Sequence, residues 1–403
     1  MSLVSRKMGA ALAGASLVRR MFEEGLSLKA RFGAGNVFDF SLGNPDLPPP
    51  PAFKETLVRL ARDDAPGVHG YMPNAGWPQV RERVAEYLNV EQGAGLARPF
   101  TADQVIMTAG AAGGLNVVFK AILDPGDEVV TPRPYFMEYG FYADNHGARL
   151  VPAEPGPGFS LDLKALAARL NPATRAVLLN SPHNPTGVIY PAEHLAVLGR
   201  LLAEAGAHWG RPIFLIADEP YRKLAYDGRQ APSIFPAHPY SIVVHSHSKD
   251  LSIPGERIGY AAINPDLPEG GPELFQSLAL ANRVLGFVNA PSLMQRALAE
   301  LQGVTADLGR YQRRRDLFVQ GLRSVGYRLD EPAGAFYLFP ESPLADDEAF
   351  VSLLKEEKIL AVPGRGFAGP GHFRLCFCTP EEVIERALPG FARALAKAGT
   401  AAG

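Results

Sequence analysis

Short apolar runs, each ending in polar or glycine-rich residues, alternate through the middle of the chain with segments of helical period. Val105–Thr108 precedes Ala109–Gly114 and then a helical pattern through Leu115, Val118, Phe119 and Ile122. Glu128–Thr131 leads into a proline-rich turn, and Ala176–Leu179 into Asn180-Ser181-Pro182. Ile213–Ala217 leads into Asp218-Glu219-Pro220-Tyr221, and Ile242–Val244 into His245–Lys249. Helical patterns over Leu161–Leu170 and Ala192–Ala205 separate these runs. Strands so short and so uniformly apolar are buried on both faces, which predicts a mostly parallel sheet covered by helices. Ligands gather at the carboxyl ends of such strands. Gly110, Asn180, Asp218 and Ser246 all follow directly on apolar runs, so one crevice is expected there.

The texture changes after about Asp307. Leu308–Val325 reads as one long helix with Tyr311, Phe318, Leu322 and Val325 on or near one face. Arg310, Arg313, Arg314 and Arg315 are then expected on its solvated side. The remainder, through Phe336–Phe339 and Phe373–Leu375, reads as a smaller α+β domain. At the other end, Lys7 and the small, apolar run Met8–Val18 look superficially like a signal peptide. Arg19-Arg20 and Glu23-Glu24 interrupt the run without a cleavage site, which predicts a helical arm to about Ala30 instead. Val37–Leu42 reads as extended and Pro48–Pro51 as a stiff connector. The expected division is an arm and part of a small domain over 1–45, a large domain over 46–307 and a small domain over 308–403.

A chain of 403 residues exceeds what one core usually organises, in keeping with two lobes. With 47% hydrophobic and 20% charged residues it is neither disordered nor fibrous. Forty basic against forty-two acidic residues give a net charge of −2, which supplies no electrostatic reason for nucleic acid or a membrane surface as partner. No apolar stretch reaches the length of a membrane span. If Cys376 and Cys378 lie on one strand they share a face but are poorly placed for a disulfide, and nothing nearby completes a zinc site. A reduced, cytoplasmic protein is expected.

The densest chemistry is Ser246-His247-Ser248-Lys249, followed by Ile253–Tyr260. A lysine sequestered just after a buried strand can lose its proton and attack carbonyls. Two hydroxyls before it and Arg257 after it can bind the phosphate of a carbonyl cofactor. Asn180-Ser181-Pro182-His183-Asn184-Pro185-Thr186-Gly187 and Asp218-Glu219-Pro220-Tyr221 complete a set. From Ser41-Leu42-Gly43-Asn44-Pro45 to Phe373-Arg374, the chain resembles the pyridoxal 5′-phosphate (PLP) enzymes of fold type I, in the class I/II aminotransferase family, and is aspartate-aminotransferase-like. The fold so implied is α/β, a large cofactor-binding domain with a mostly parallel sheet and a smaller α+β domain.

The resemblance implies a role for each matching residue. Lys249 corresponds to the lysine that forms a Schiff base with the cofactor and then moves the substrate proton. Asp218 corresponds to the carboxylate that keeps the pyridine nitrogen protonated, and Tyr221 and Asn184 to the donors toward the ring oxygen. Gly110, Ala111 and Ala112 match the turn whose N–H groups meet the phosphate, with Ser246, Ser248 and Arg257 as its side-chain ligands. Tyr71, in Gly70-Tyr71-Met72-Pro73, matches a tyrosine that reaches the phosphate from the neighbouring subunit; its plain reading is an aromatic at a domain seam. Phe136 matches the aromatic stacked on the ring, with Tyr135 as the competitor. Arg374 matches the fork for the substrate α-carboxylate, assisted by Asn184 and the backbone of Gly43. Without the motif, Arg374 would read as a solvent-facing strand residue.

The implied protein is a homodimeric aminotransferase working by a ping-pong aldimine/ketimine exchange between an L-amino acid and a 2-oxo acid. Arg283 is the candidate for a distal carboxylate, which makes aspartate or glutamate the expected donor and alanine or an aromatic amino acid the alternative. An interface salt bridge is the other reading of Arg283. A PLP-dependent carbon–sulfur β-lyase shares the same cofactor apparatus. A PLP-sensing transcription regulator would need a helix-turn-helix pattern, and the roughly forty residues before Ser41 carry none.

Overall fold

The computed structural model describes residues 3–13, 17–63 and 65–401. Two helices, Arg6–Ala13 and Leu17–Phe32, form the arm; residues 14–16 of the predicted arm lie outside the described residues. In chain order the strands are β1 (Phe38–Asp39), β2 (Val105–Thr108), β3 (Glu128–Pro132), β4 (Arg149–Ala153), β5 (Thr174–Asn180) and β6 (Phe214–Asp218). They continue with β7 (Ser241–Ser246), β8 (Gly259–Ile263), β9 (Tyr337–Leu338), β10 (Ile359–Leu360), β11 (Val362–Pro363) and β12 (Phe373–Cys376).

Seven strands form one sheet in the order β2-β8-β7-β6-β5-β3-β4. Only β8 runs against its neighbours, so the sheet is mostly parallel as expected. Two of its strands escaped the sequence pattern. β4 is half exposed and carries Pro152, which an edge strand tolerates because no ladder bond is needed from its nitrogen. β8 begins inside the Pro254–Tyr260 segment that drew attention for its chemistry.

Alternate residues of the central strands feed separate cores. Val177, Leu215 and Val243 pack on one face, Leu178, Ile216 and Val244 on the other. A third core gathers Met21, Phe40 and Leu47 from the N-terminal part with Tyr311, Phe318, Phe336, Phe373 and Phe391. It also takes Tyr221, Leu224 and Tyr226 from just beyond β6. Each fully buried side chain of this size contributes roughly 1.5–3 kcal/mol. Around this core β1 pairs with β10, and β12 lies between β11 and β9.

The long helix spans Leu308–Val325 as predicted, but two of its arginines are not solvated. Arg314 and Arg315 are buried; Arg314 pairs with Asp46 and Arg315 with Asp227, each at 2.7 Å. They stand three and four residues after Tyr311, on the buried stripe itself, and carboxylates from other segments neutralise them there. Arg310 and Arg313 are exposed as expected. Among the described residues no helix is long and apolar enough to cross a membrane.

Candidate active site

The carboxyl ends of β5, β6 and β7 and the turn after β2 open onto one cavity of about 290 Å³. In the ladder Asn180 stands opposite Asp218, where β5 and β6 both end, and Asp218 stands opposite Val244, two residues before β7 ends at Ser246. Asn180, Asp218 and Ser246 line the cavity with Ala111 and Ala112. Gly110 starts the helix Gly110–Ile122 at a φ of 70°, a left-handed conformation open to glycine. A Cβ on it would lie 2.8 Å from the Arg257 guanidinium, so the bare backbone lets that side chain approach the turn.

Directly after β7 the chain turns over residues 247–250, and the side chains there still divide between two sides. Ser246 and Ser248 face the cavity, their hydroxyls 2.7 Å apart. His245 and His247 face away, both toward the Asp250 carboxylate, with His247 Nδ1 at 3.0 Å from Oδ2. Lys249 lines the cavity and its Nζ donates to the Gly43 carbonyl at 2.6 Å. Burial pulls its ammonium below the ordinary lysine range, and Arg374 and Arg257 push the same way.

Asp218 is buried at the end of β6. Tyr139, on the short helix Glu138–Asp144, donates to its Oδ2 at 2.6 Å, while Oδ1 has no partner among the described residues. Burial raises its carboxyl to about 7, against the hydrogen bond from Tyr139 that favours the ionised form. Asn180 braces the corner: its Nδ2 donates to the Asp218 carbonyl and its Oδ1 accepts from the Asn184 nitrogen, each at 2.7 Å. Tyr221 meets Tyr337 hydroxyl to hydroxyl at 2.9 Å. Phe136 forms part of the wall and packs edge-on against Tyr139, whereas Tyr135 is outside the lining.

Arg374 comes from β12. It is buried, not solvent-facing, and lies between the rings of Tyr337 and Phe367 at 4.6 and 4.5 Å. Its guanidinium donates to Asn184 Oδ1 at 3.2 Å and to the Ser41 carbonyl at 2.7 Å, and its Nε has no partner. Gly43 lines the cavity beside it. Tyr71 and Arg283 are not brought in: both are exposed and neither lines this cavity. Arg283 ends the helix Gly271–Val284 next to exposed Val284.

Sequence reasoning missed Tyr139, Tyr337 and the Ser41 carbonyl. Tyr139 follows Phe136 by three residues, a helical spacing that could have flagged it. Tyr337 lies within the apolar stretch Phe336–Phe339, where nothing in the sequence marks it for the site.

The donor set fits a pyridine aldehyde phosphate. The unpartnered, buried Asp218 Oδ1 lacks a donor that a ring N–H supplies. An amine, a phenol, two hydroxyls and a guanidinium beside a helix N-terminus stand around the same space, with a second guanidinium for a carboxylate.

The family profile described as aminotransferase class I and II matches residues 35–390. Aspartate/prephenate aminotransferase from Thermus thermophilus is 34% identical over 379 residues, covering 92% of this chain and 94% of the relative. Aspartate aminotransferase from Geobacillus stearothermophilus is 30% identical, covering 91% of this chain and 92% of that protein. The crystal structure of an amino transferase from Eubacterium rectale is similar with a TM-score of 0.93 at 39% identity, covering 98% of this chain and 99% of that one. Aspartate aminotransferase from Thermus thermophilus with maleate follows at 0.85 and 32%, covering 98% of this chain and all of that one.

Proposed function

Because the chain belongs to the class I and II aminotransferase family, we propose that it holds PLP in this cavity and takes aspartate or glutamate as amino donor. It has the α/β architecture of fold type I and is an aminotransferase. Bound PLP supplies the carbonyl that receives the amine and the ring that accepts the electron pair left at Cα. Lys249 Nζ would hold the cofactor, and its amine would take the proton from substrate Cα. Its depressed proton affinity suits that work. Asp218 Oδ1 would hold a proton on the ring nitrogen, and Tyr221 would donate to the ring oxygen beside Asn184. Ser246, Ser248, Arg257 and the Gly110–Ala112 turn would hold the phosphate, and Phe136 would flank the ring. Arg374 forks the α-carboxylate, exchanging its bonds to Asn184 and Ser41, with Gly43 alongside. This fixes rotation about the amine and sets Cα–H for removal.

The observation that carries this reading is the convergence of Lys249, the free oxygen of Asp218 and Arg374 on one cavity. We further propose a homodimer in which Tyr71 and Arg283 serve the cavity of the second copy, Tyr71 at the phosphate and Arg283 at a distal carboxylate. The exposure of both supports it, with exposed Leu280, Val284 and Phe287 flanking Arg283 in sequence, as does the maleate, a dicarboxylate, of the Thermus structure. The division into 1–45, 46–307 and 308–403 belongs to the same proposal, supported by the separate core around Phe318 and Phe391. The test is a single half-reaction with aspartate. Pyridoxamine phosphate and a 2-oxo acid are expected; pyruvate with ammonia from a β-substituted donor, and no pyridoxamine phosphate, would mark a lyase.

A further inference from the structure

Tyr337 touches both halves of the site, and neither contact is accounted for by the roles above. Its hydroxyl is 2.9 Å from the Tyr221 hydroxyl, and its ring lies 4.6 Å from the Arg374 guanidinium. A Cβ on Gly43 would overlap that hydroxyl, so the substrate-side backbone is packed directly on it. The side chain is buried and enters from β9, an element of the third core rather than of the large sheet.

A hydrogen bond between two phenols uses one proton, and the structure leaves its owner open. The role proposed for Tyr221 decides it. If the Tyr221 proton points at the cofactor ring oxygen, Tyr221 can only accept from its neighbour, and Tyr337 must donate. Tyr337 is well placed to keep its proton, because burial raises it well above the ordinary tyrosine range. With its lone pair engaged, the Tyr221 hydroxyl has its rotation restricted and its proton turned toward the cavity.

We propose that Tyr337 is a positioning residue that orients the Tyr221 proton toward the cofactor while its ring fixes the plane of Arg374. This rests on the proposed role of Tyr221. It places a coupling between the cofactor and the substrate carboxylate in one side chain.

The test is a pH titration of the bound cofactor's absorbance in the holoenzyme, for Tyr337→Phe, Tyr221→Phe and the double variant. Tyr337→Phe keeps the ring and its packing and removes only the donor. Its midpoint should move in the same direction as that of Tyr221→Phe, by about half a pH unit to one unit. The double variant should move no further than Tyr221→Phe alone. The KM for the amino acid should change little in Tyr337→Phe and rise in Tyr337→Leu, where the ring beneath Arg374 is lost. A midpoint moved by Tyr221→Phe but unmoved by Tyr337→Phe overturns the inference alone. A midpoint unmoved by Tyr221→Phe overturns the role of Tyr221 and this inference with it.

Discussion

The two sides of the cavity differ in how well their polar groups are satisfied. On the sheet side Asp218 Oδ1 is buried without a partner, and the Lys249 ammonium is disfavoured by burial. On the β12 side Arg374 already spends two of its donors on Asn184 and Ser41 and lies between two aromatic rings. Unmet capacity in a buried carboxylate is costly, and it suits a tenant that stays. An arginine whose two terminal nitrogens already have partners suits a visitor, because each arriving carboxylate exchanges one set of bonds for another and can leave again. The difference separates a site for a resident cofactor from a site for substrates that come and go.

The harshest way to break that comparison is at Lys249. Lys249→Ala should lose at least about 10³-fold in single-turnover transamination while still binding PLP through its phosphate. Normal turnover by this variant would remove the resident-cofactor reading.

Asp218→Asn should lower kcat by roughly 10²–10³-fold at saturating PLP. The same variant has a thermodynamic signature. A carboxyl held near 7 in the fold and near 3.8 in the unfolded chain makes its burial costless below about pH 4 and increasingly costly toward pH 7. Cofactor-free Asp218→Asn should therefore be more stable than the parent above pH 7, by about 1–3 kcal/mol, and lose that advantage in acid. Wild-type affinity for PLP should fall, relative to the variant, as the pH drops through about 7. Denaturant melts and PLP titrations at several pH values read both effects.

Arg374→Lys probes the exchanging side. The point charge survives but the fork does not, so kcat/KM for amino acids should fall about ten- to a hundred-fold with PLP affinity unchanged. An equal loss of PLP affinity would show that the two sides are not separable.

The smallest effect is expected at Arg283. Arg283→Ala should reduce kcat/KM for aspartate by about tenfold and leave alanine unaffected. Equal effects on both donors, or none on either, would remove the acidic-donor proposal without touching the aminotransferase assignment. Equilibrium sedimentation of the same protein tests the second copy that the proposal requires.

Much of the sheet side was legible in the sequence because its groups are bound to periodic elements. Asp218, Ser246 and Lys249 sit at or just past the ends of apolar runs, and the run itself says where the strand stops. The alternation Ser246, His247, Ser248 even sorts the cavity face from the histidine face. Arg314 and Arg315 were misread although their spacing from Tyr311 put them on the buried stripe. Charge argued for solvent, and although Asp316 beside Arg315 shares in neutralising it, the other partners, Asp46 and Asp227, lie far away in sequence.

The amino-acid sequence by itself determined the strand–helix alternation, the crevice at the strand ends and the chemical identity of the groups beside it. Those follow from local periodicity and from residue types that only certain chemistry uses. Only the tertiary structure decided which groups are satisfied and which are not. Tyr139 reaches Asp218 from another element, Tyr337 reaches Tyr221 across 116 positions, and Ser41 reaches Arg374 across 333. Whether a buried polar atom finds a partner depends on chain segments brought together by the packing of the cores around the sheet, and no local pattern records that meeting.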